Sequence, residues 1–249
     1  MTISPKSFDA SEYYKKNSQL HGGEAPISSV IQTHKIPPVP TEMDHVIHWL
    51  LNRDSIHASI LDIGCAQLTL LRSLSGIFNH KFGVDIAPYP NWNTHPEISE
   101  SVINLDKSDL PFMASSFDAV SMLMVLEHVF NPFHAVRELR RVCKPEGIVI
   151  ISVPNLASIR HRLGLLFGLF PITSARFSFD EEAWDGYHLH NFTCASLEWL
   201  LIKEGLKPIA WKSQGKFQWL KNFSPSLFGA DLIVFCKLSD PQPDLSFPL

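Results

Sequence analysis

The chain has 249 residues, of which 45% are hydrophobic and 18% are charged. This composition is typical of a globular protein with a buried core and excludes a disordered chain. The length favours one domain with additions over two equal domains. The formal net charge of −4 gives no general attraction to nucleic acid, so we expect no nucleic-acid partner.

The cysteines and the apolar runs indicate the cellular setting. The four cysteines show no metal-ligand spacing and no CxxC pair, which favours a reduced, cytoplasmic protein. The first ten residues lack an apolar core, so we expect no secretory signal. No apolar run reaches about 18 residues, so we expect no transmembrane segment.

The chain divides into three predicted parts. Residues 1–40 are polar and end in a proline-rich stretch, which predicts an N-terminal extension with a stiff linker. Tyr13 and Tyr14 could anchor this extension over a pocket or simply pack. Residues 41–238 are expected to form one domain, with an insert at 155–186 as a lid or acceptor region, and residues 239–249 a tail.

Helix caps and apolar patterns predict the elements of this domain in chain order. Thr41, Asn131 and Thr193 are predicted N-caps, and they begin helices that extend to about Leu51, Val142 and Glu204. A further helix follows the first strand, to about residue 77. Strands are predicted near 59–63, 81–84, 102–105, 117–123, 148–153, 208–211 and 231–237. The alternation of strands and helices predicts a doubly wound, mostly parallel α/β sheet with helices on both faces.

Acidic residues follow several of these strands at the point where each strand ends. They are Asp62, Asp85, Asp106 and Glu127, and ligands of doubly wound sheets bind outside these carboxyl ends. Gly64 follows the first strand and would let the chain approach a ligand closely, while an acid after the second strand suits ribose hydroxyls. These residues predict a pocket for a nucleoside-containing cofactor.

A nicotinamide cofactor is disfavoured within that class. The dinucleotide motif GxGxxG would need glycine at the positions of Ala66 and Thr69. We therefore rank a dehydrogenase below the other nucleoside-dependent enzymes.

Taken in order, the motifs resemble those of the class I S-adenosylmethionine-dependent methyltransferases. The likeness is closest to the small-molecule and glycan-associated branch, with its MetW-like and ubiquinone-type members. It covers about residues 41–238 and rests on residues 61–65, 83–85, 106–112, 116–120, 126–129, 138–147, 152–155 and 188–193. The resemblance implies a seven-stranded Rossmann-like sheet of order 3-2-1-4-5-7-6 and S-adenosylmethionine as cofactor.

The resemblance also implies which residues contact the methionine and ribose parts of the cofactor. Asp62 and Gly64 would lie under the methionine part, with Cys65 and Ala66 in the same loop. Asp85 would hold the ribose hydroxyls.

For the adenine part, the resemblance implies a polar contact and an apolar wall. Asp106 would face the adenine amino group, with Leu105 and Lys107 beside the ring. Ile86 and Met124 would lie against the cofactor.

Two residues depart from the family pattern. The family's glycine loop often has glycine where this chain has Ala66 and Leu68. Ala66 adds a methyl group and loses easy access to positive φ, and Leu68 adds bulk. A second interpretation therefore stays open: a methyltransferase fold that has lost the cofactor and acts as a binding or scaffold protein.

Three histidines are candidates for the chemistry. The expected acceptor is a small molecule or glycan methylated at oxygen, for which a general base helps. His128, His188 and His190 could supply that base, or they could be structural; in an extended segment, the last two would share a face. Some ubiquinone-type relatives place a metal at an acid where this chain has Met124, so no metal is expected.

Two further segments leave alternatives open. Within the insert, an apolar run at 159–172 with Arg160 and Arg162 predicts a lid helix packed on the domain or on a second subunit, or else an acceptor channel or weak membrane-surface contact. The acids from Asp180 to Asp185 suggest a solvated loop. Aromatic residues and lysines at 211–223 suggest a strand edge and loop, or a surface for an anionic or lipid-linked acceptor. The chain is expected to be a monomer or homodimer.

Overall fold

The computed structural model describes residue 28 and residues 30–52, 57–173 and 188–247. The expectations for Tyr13, Tyr14 and the acids from Asp180 to Asp185 lie outside these residues. Seven strands form one sheet in the order β3-β2-β1-β4-β5-β7-β6. They are β1 (His57–Ile63), β2 (Phe78–Asp85), β3 (Ile98–Val102), β4 (Phe117–Leu123), β5 (Cys143–Pro154), β6 (Leu206–Lys212) and β7 (Asp231–Leu238). Strands β1 to β5 pair in parallel and β7 is antiparallel to both neighbours, which confirms the predicted order.

The described helices are α1 (Val30–Thr33), α2 (Glu42–Leu51), α3 (Thr69–Ser73), α4 (Pro132–Val142), α5 (Ile159–Leu166), α6 (Cys194–Lys203), α7 (Gln218–Phe223) and α8 (Pro225–Phe228). The three predicted N-caps are confirmed, because the side chains of Thr41, Asn131 and Thr193 each accept a backbone N–H of the first turn. Each cap satisfies a donor that the helix itself leaves unpaired.

The two faces of the sheet each carry a separate apolar core. In β5, Ile148 and Ile150 pack on one face, while Val149 and Ile151 pack on the other, and all four are fully buried. Side chains alternate between the faces of a strand, so an unbroken apolar run is what a strand covered on both sides requires. Because apolar cores cover both faces of the sheet, a cavity can open only at the ends of its strands.

Several boundaries differ from the sequence prediction. The third strand occupies 98–102 rather than 102–105, because the Ile103 N–H makes a last bond to the Asp85 carbonyl (2.8 Å) and the chain then turns along a cavity wall. Helix α3 ends at Ser73, four residues short of the predicted end. The residues after β6 form α7 and α8, where a loop was expected.

The insert contains the predicted helix. Helix α5 forms within the predicted lid, and its residues Arg160 and His161 line the cavity, but none of its residues is buried, so it does not pack into the core of the domain. A contact of this helix with a second subunit or a membrane surface stays a prediction. Leu166 and Phe167 are 76% and 77% exposed. Among the described residues, no helix is both long and apolar enough to cross a bilayer.

Candidate active site

A cavity of about 620 Å³ lies at the carboxyl ends of the parallel strands. Ile63, Asp85, Leu123 and Pro154, at or near the ends of β1, β2, β4 and β5, are part of its wall. This is where a doubly wound sheet binds its ligand. Eleven of the thirteen residues predicted for the site line the cavity: Asp62, Gly64, Cys65, Ala66, Asp85, Ile86, Leu105, Asp106, Met124, His128 and His188.

The loop after β1 forms the cavity wall nearest the sheet. Gly64 has φ +76°, and a Cβ built on it would lie 2.2 Å from Cγ2 of Val125, so only glycine fits there. Ala66 also has positive φ, 41°. Its N–H donates to Oδ2 of Asp85 (2.9 Å), and its carbonyl accepts the indole N–H of Trp92 (2.8 Å). These bonds hold the loop in the shape that glycine would otherwise provide.

Leu68 does not obstruct the cavity. Its φ is 59°, yet its side chain is fully buried and belongs to the apolar core on the α2 and α3 face. A Cβ on Gly83 would lie 3.1 Å from a methyl group of Leu68, so the leucine packs against β2. The added volume of the Leu68 side chain therefore lies in the apolar core and not in the cavity.

Two carboxylates are held by backbone amides at one end of the cavity. Oδ1 of Asp85 accepts the N–H of Ile86 (2.7 Å), and the N–H of Ala87 also bonds this carboxyl group. A carboxylate has about four acceptor positions, so these amides and that of Ala66 leave it capacity for a further donor. Oδ1 of Asp106 accepts the N–H groups of Phe130 (2.9 Å) and Asn131 (3.2 Å). Burial raises the pKa of Asp85, and the amide bonds partly offset that effect.

Asp62 is a buried acid near the end of β1. The hydroxyl of Ser121 donates to its Oδ1 (2.6 Å), and only 5% of the residue is exposed. Burial, opposed by the Ser121 bond and reinforced by the charge of Asp85, raises the pKa of Asp62 to about 7. This carboxyl therefore changes charge near neutral pH.

The cavity also contains an acidic end, which we define by Glu42, Glu127 and Asp231. The hydroxyl of Ser152 donates to Glu42 and accepts the N–H of Met124 (3.0 Å). Burial raises the pKa of Glu42 well above its usual value, and repulsion from Asp231, Glu127 and Asp62 raises it further. Burial also raises the pKa of Glu127 to about 8 and that of Asp231 above its usual range.

Sequence reasoning missed two members of the acidic end. Glu42 was assigned only to the opening of a helix and Asp231 only to the start of a strand. Asp231 accepts the hydroxyl of Ser213 (2.6 Å) and the N–H of Gln214 (3.1 Å). The expected strand order could have indicated Asp231, because this residue begins β7 and β7 pairs with β5.

The three candidate histidines do not lie together in the structure. The rings of His128 and His188 lie 4.8 Å apart, and Nδ1 of His188 is 2.7 Å from the hydroxyl of Thr173. His190 lies outside the cavity wall, with its ring 6.3 Å from that of Phe192. The expectation that His188 and His190 share a face is wrong. The N–H groups of residues 189 and 190 both donate to the carbonyl of Glu127, which bends the segment.

Two other expectations concern this region. Lys107 is exposed and does not line the cavity, because its N–H donates to the carbonyl of Asn104 in a turn that leads its side chain outward. Glu127, His128 and His188 each offer a ligand atom, and these atoms lie within 4.8 Å of one another, a set that a metal ion could use. The absence of a metal thus stays a prediction.

Comparisons with known proteins agree with this geometry. A family model described as "Methyltransferase domain" matches residues 35–210. A ubiquinone biosynthesis O-methyltransferase of Xanthomonas oryzae pv. oryzae is 30% identical over 122 residues, which cover 47% of this chain and 50% of that protein. A protein of the same name from Dechloromonas aromatica is 27% identical over 154 residues, covering 59% and 64%. The chain thus spans about half the length of the first curated relatives it matches.

The solved structures show the same fold. One is the Burkholderia thailandensis 1,6-didemethyltoxoflavin-N1-methyltransferase with bound 1,6-didemethyltoxoflavin and S-adenosylhomocysteine. Its TM-score is 0.57 at 13% identity, and the match covers 96% of this chain and 94% of that one. A S-adenosylmethionine-dependent methyltransferase of Aquifex aeolicus matches with a TM-score of 0.53 at 12% identity, covering 92% and 98%.

Proposed function

Because this chain belongs to the methyltransferase domain family and is a class I S-adenosylmethionine-dependent methyltransferase, we propose that it transfers the cofactor's methyl group to a hydroxyl oxygen of a small molecule or glycan. The observation that supports the proposal is the cavity of about 620 Å³ at the carboxyl ends of the parallel strands, whose wall contains Asp62, Asp85 and Asp106. Oxygen as the target is supported by the printed name of the curated relatives.

The residues that line the cavity suit this cofactor. We assign the methionine part to Asp62, Gly64 and the loop residues Cys65 and Ala66, and the ribose hydroxyls to the remaining acceptor capacity of Asp85. Carboxylate oxygens accept hydrogen bonds from a diol, which is the chemistry that ribose requires.

The adenine end is assigned to the wall after β3. Asp106 would accept from the adenine amino group, and Leu105, Ile86 and Met124 would provide the apolar cover of a flat ring. Lys107 is exposed on the outer surface near this end, so we assign it no contact with the cofactor.

The protein itself has to supply little of the chemistry of methyl transfer. When bound, the cofactor supplies an activated sulfonium methyl group, so the chain mainly positions the acceptor and excludes water. His128 and His188 are proposed to accept the proton of the acceptor hydroxyl, since both line the cavity. His190 is proposed as a positioning residue, because its N–H fixes the bend against the Glu127 carbonyl (3.0 Å).

The proposal is tested first at the level of the cofactor. Thermal unfolding is measured with S-adenosylmethionine, with S-adenosylhomocysteine and with NAD as the control ligand. A ligand at 100 times its dissociation constant stabilises a protein by about 2.7 kcal/mol, so both sulfur compounds should raise the melting temperature and NAD should not. If neither sulfur compound changes it, the scaffold interpretation replaces the enzymatic one.

A further inference from the structure

The acidic end of the cavity brings together carboxyl groups from three distant segments. Glu42 opens α2, Glu127 follows β4, and Asp231 begins β7. All three line the same cavity. The hydroxyl of Ser152 on β5 donates to Glu42, and Pro154, two residues further along β5, pairs with Asp231 on β7. Burying three carboxyl groups together costs free energy, either as desolvation and repulsion when they are charged or as protons held above their usual pKa, so the arrangement needs a reason outside the fold itself.

Two oxygens of this group lack a hydrogen-bond partner among the described residues. They are Oε2 of Glu127 and Oδ2 of Asp231, and each residue is only 1% exposed. A buried carboxyl oxygen without a donor is costly. Because both residues line the cavity, a ligand there can supply the missing donors.

Positive side chains do not neutralise the group. No lysine or arginine of the described residues forms an ion pair with Glu42, Glu127 or Asp231. The amine of Lys221 affects Asp231 only at longer range and donates to the carbonyl of Gln214. The partner that remains for Glu127 is Nε2 of His128, at 3.9 Å from Oε1.

We propose that the methyl acceptor carries a protonated amino group that binds between Glu127 and Asp231, beside Glu42. This inference rests on the proposed function and names the substrate class of the same site: a hydroxylated amine, such as an amino sugar or a phenolic amine. An ammonium group offers up to three N–H donors and a positive charge from one small centre. Charge-assisted bonds are about twice as strong as neutral ones, which favours an ammonium group over a sugar hydroxyl at this position.

The test compares ligands that differ only at the nitrogen. Protein saturated with S-adenosylhomocysteine, in buffer with EDTA, is titrated with glucosamine, N-acetylglucosamine and glucose, and in parallel with tyramine and N-acetyltyramine. In at least one series, the free amine should bind about tenfold or more tightly than its N-acetylated form, which corresponds to one lost charge-assisted interaction. Equal binding within both series, or tighter binding of the neutral forms, overturns the inference.

Variants then connect the preference to the acidic end. Asp231→Asn retains an oxygen for Ser213 and Gln214 and replaces only the unpartnered atom, and Glu127→Gln removes the charge at similar size. Each should reduce the preference for the amine at least severalfold, and Asp240→Asn, at an exposed carboxyl group, should leave it intact. If both cavity variants keep the full preference, the amine binds elsewhere and the inference is overturned.

Two further outcomes separate the inference from its premise. Stoichiometric binding of Mg²⁺ or Zn²⁺ without EDTA that is lost in Glu127→Gln would overturn the amine site, because the group would then be a metal site. Failure of S-adenosylhomocysteine itself to bind would instead overturn the proposed function. Binding of S-adenosylhomocysteine without any amine preference overturns the inference alone.

Discussion

At the scale of single residues, the loop after β1 shows that a missing glycine need not close a cavity. Ala66 adopts φ 41° because Asp85 and Trp92 hold both of its peptide groups, although such backbone angles cost an L-residue roughly 1–2 kcal/mol. Ala66→Gly should therefore raise the free energy of unfolding by about 1 kcal/mol after the entropy cost of glycine is included. Urea unfolding measures this change.

The matched control uses the second departure from the family pattern. Leu68 has a similar φ of 59°, but its side chain is fully buried. Leu68→Gly should destabilise the protein by about 2–5 kcal/mol, because a core side chain is lost. A stabilising effect of this second variant would contradict the placement of Leu68 in the core.

Asp85 carries the most direct prediction about cofactor binding. Asp85→Asn keeps an oxygen for one backbone amide but removes the charge that we assign to the ribose hydroxyls. Binding of S-adenosylhomocysteine should weaken by about 1–3 kcal/mol, as measured by calorimetry. Asp109→Asn, at a side chain that is 75% exposed, is the control. Unchanged affinity in Asp85→Asn would remove this residue from the ribose site.

At the scale of elements, α5 is held by hydrogen bonds rather than by apolar burial. None of its residues is buried, but the ring nitrogens of His161 lie 3.1 Å from the carbonyl of Asn155 and 3.0 Å from that of Ile172. His161→Ala should speed amide hydrogen exchange in residues 159–173 by roughly fivefold, since a neutral imidazole can donate to one of these two carbonyls and a hydrogen bond contributes about 1 kcal/mol. Leu166→Ala, at a residue that is 76% exposed, should leave exchange unchanged. Equal rates in both variants would count against the role of His161.

The strands were predictable because the apolar pattern that marks each strand lies within a short stretch of sequence. The unbroken apolar run of β5 predicts a strand covered on both faces, and acids after β1 and β2 predict the ligand edge. The end of β3 was misplaced because Ile103 and Leu105 are apolar for a different reason: they form the cavity wall. Apolar character alone does not distinguish a strand from a wall.

At the scale of the whole molecule, the acidic end shows what local patterns leave out. Residues 42, 127 and 231 converge only because β7 inserts beside β5 and α2 packs across the sheet. Each residue alone fits an ordinary helix opening, loop or strand start. The residues proposed to bind the cofactor lie at the ends of consecutive strands, so their meeting in one cavity was predictable, whereas the acidic end depends on strand order and required the structure.

The same carboxyl groups predict how stability depends on pH. The pKa values of Asp62 and Glu127, about 7 and about 8 in the folded protein, exceed those of ordinary acids. Above the usual carboxyl range, the unfolded chain has therefore released protons that the folded protein still holds, and the free energy of unfolding falls as pH rises through the folded values. His45 acts oppositely but at lower pH, because burial lowers its pKa to about 4 and it is neutral in both states above its usual value of 6.5.

Between about pH 6.5 and pH 8, the ligand-free protein should accordingly lose on the order of 2 kcal/mol of stability. Urea unfolding at several pH values measures the slope. Glu127→Gln should reduce the slope, since the amide cannot ionise, while Asp109→Asn should retain the full slope. Stability that is flat or increasing across this interval would show that the buried carboxyl groups ionise at their ordinary pKa, and that the acidic end is better solvated than its burial indicates.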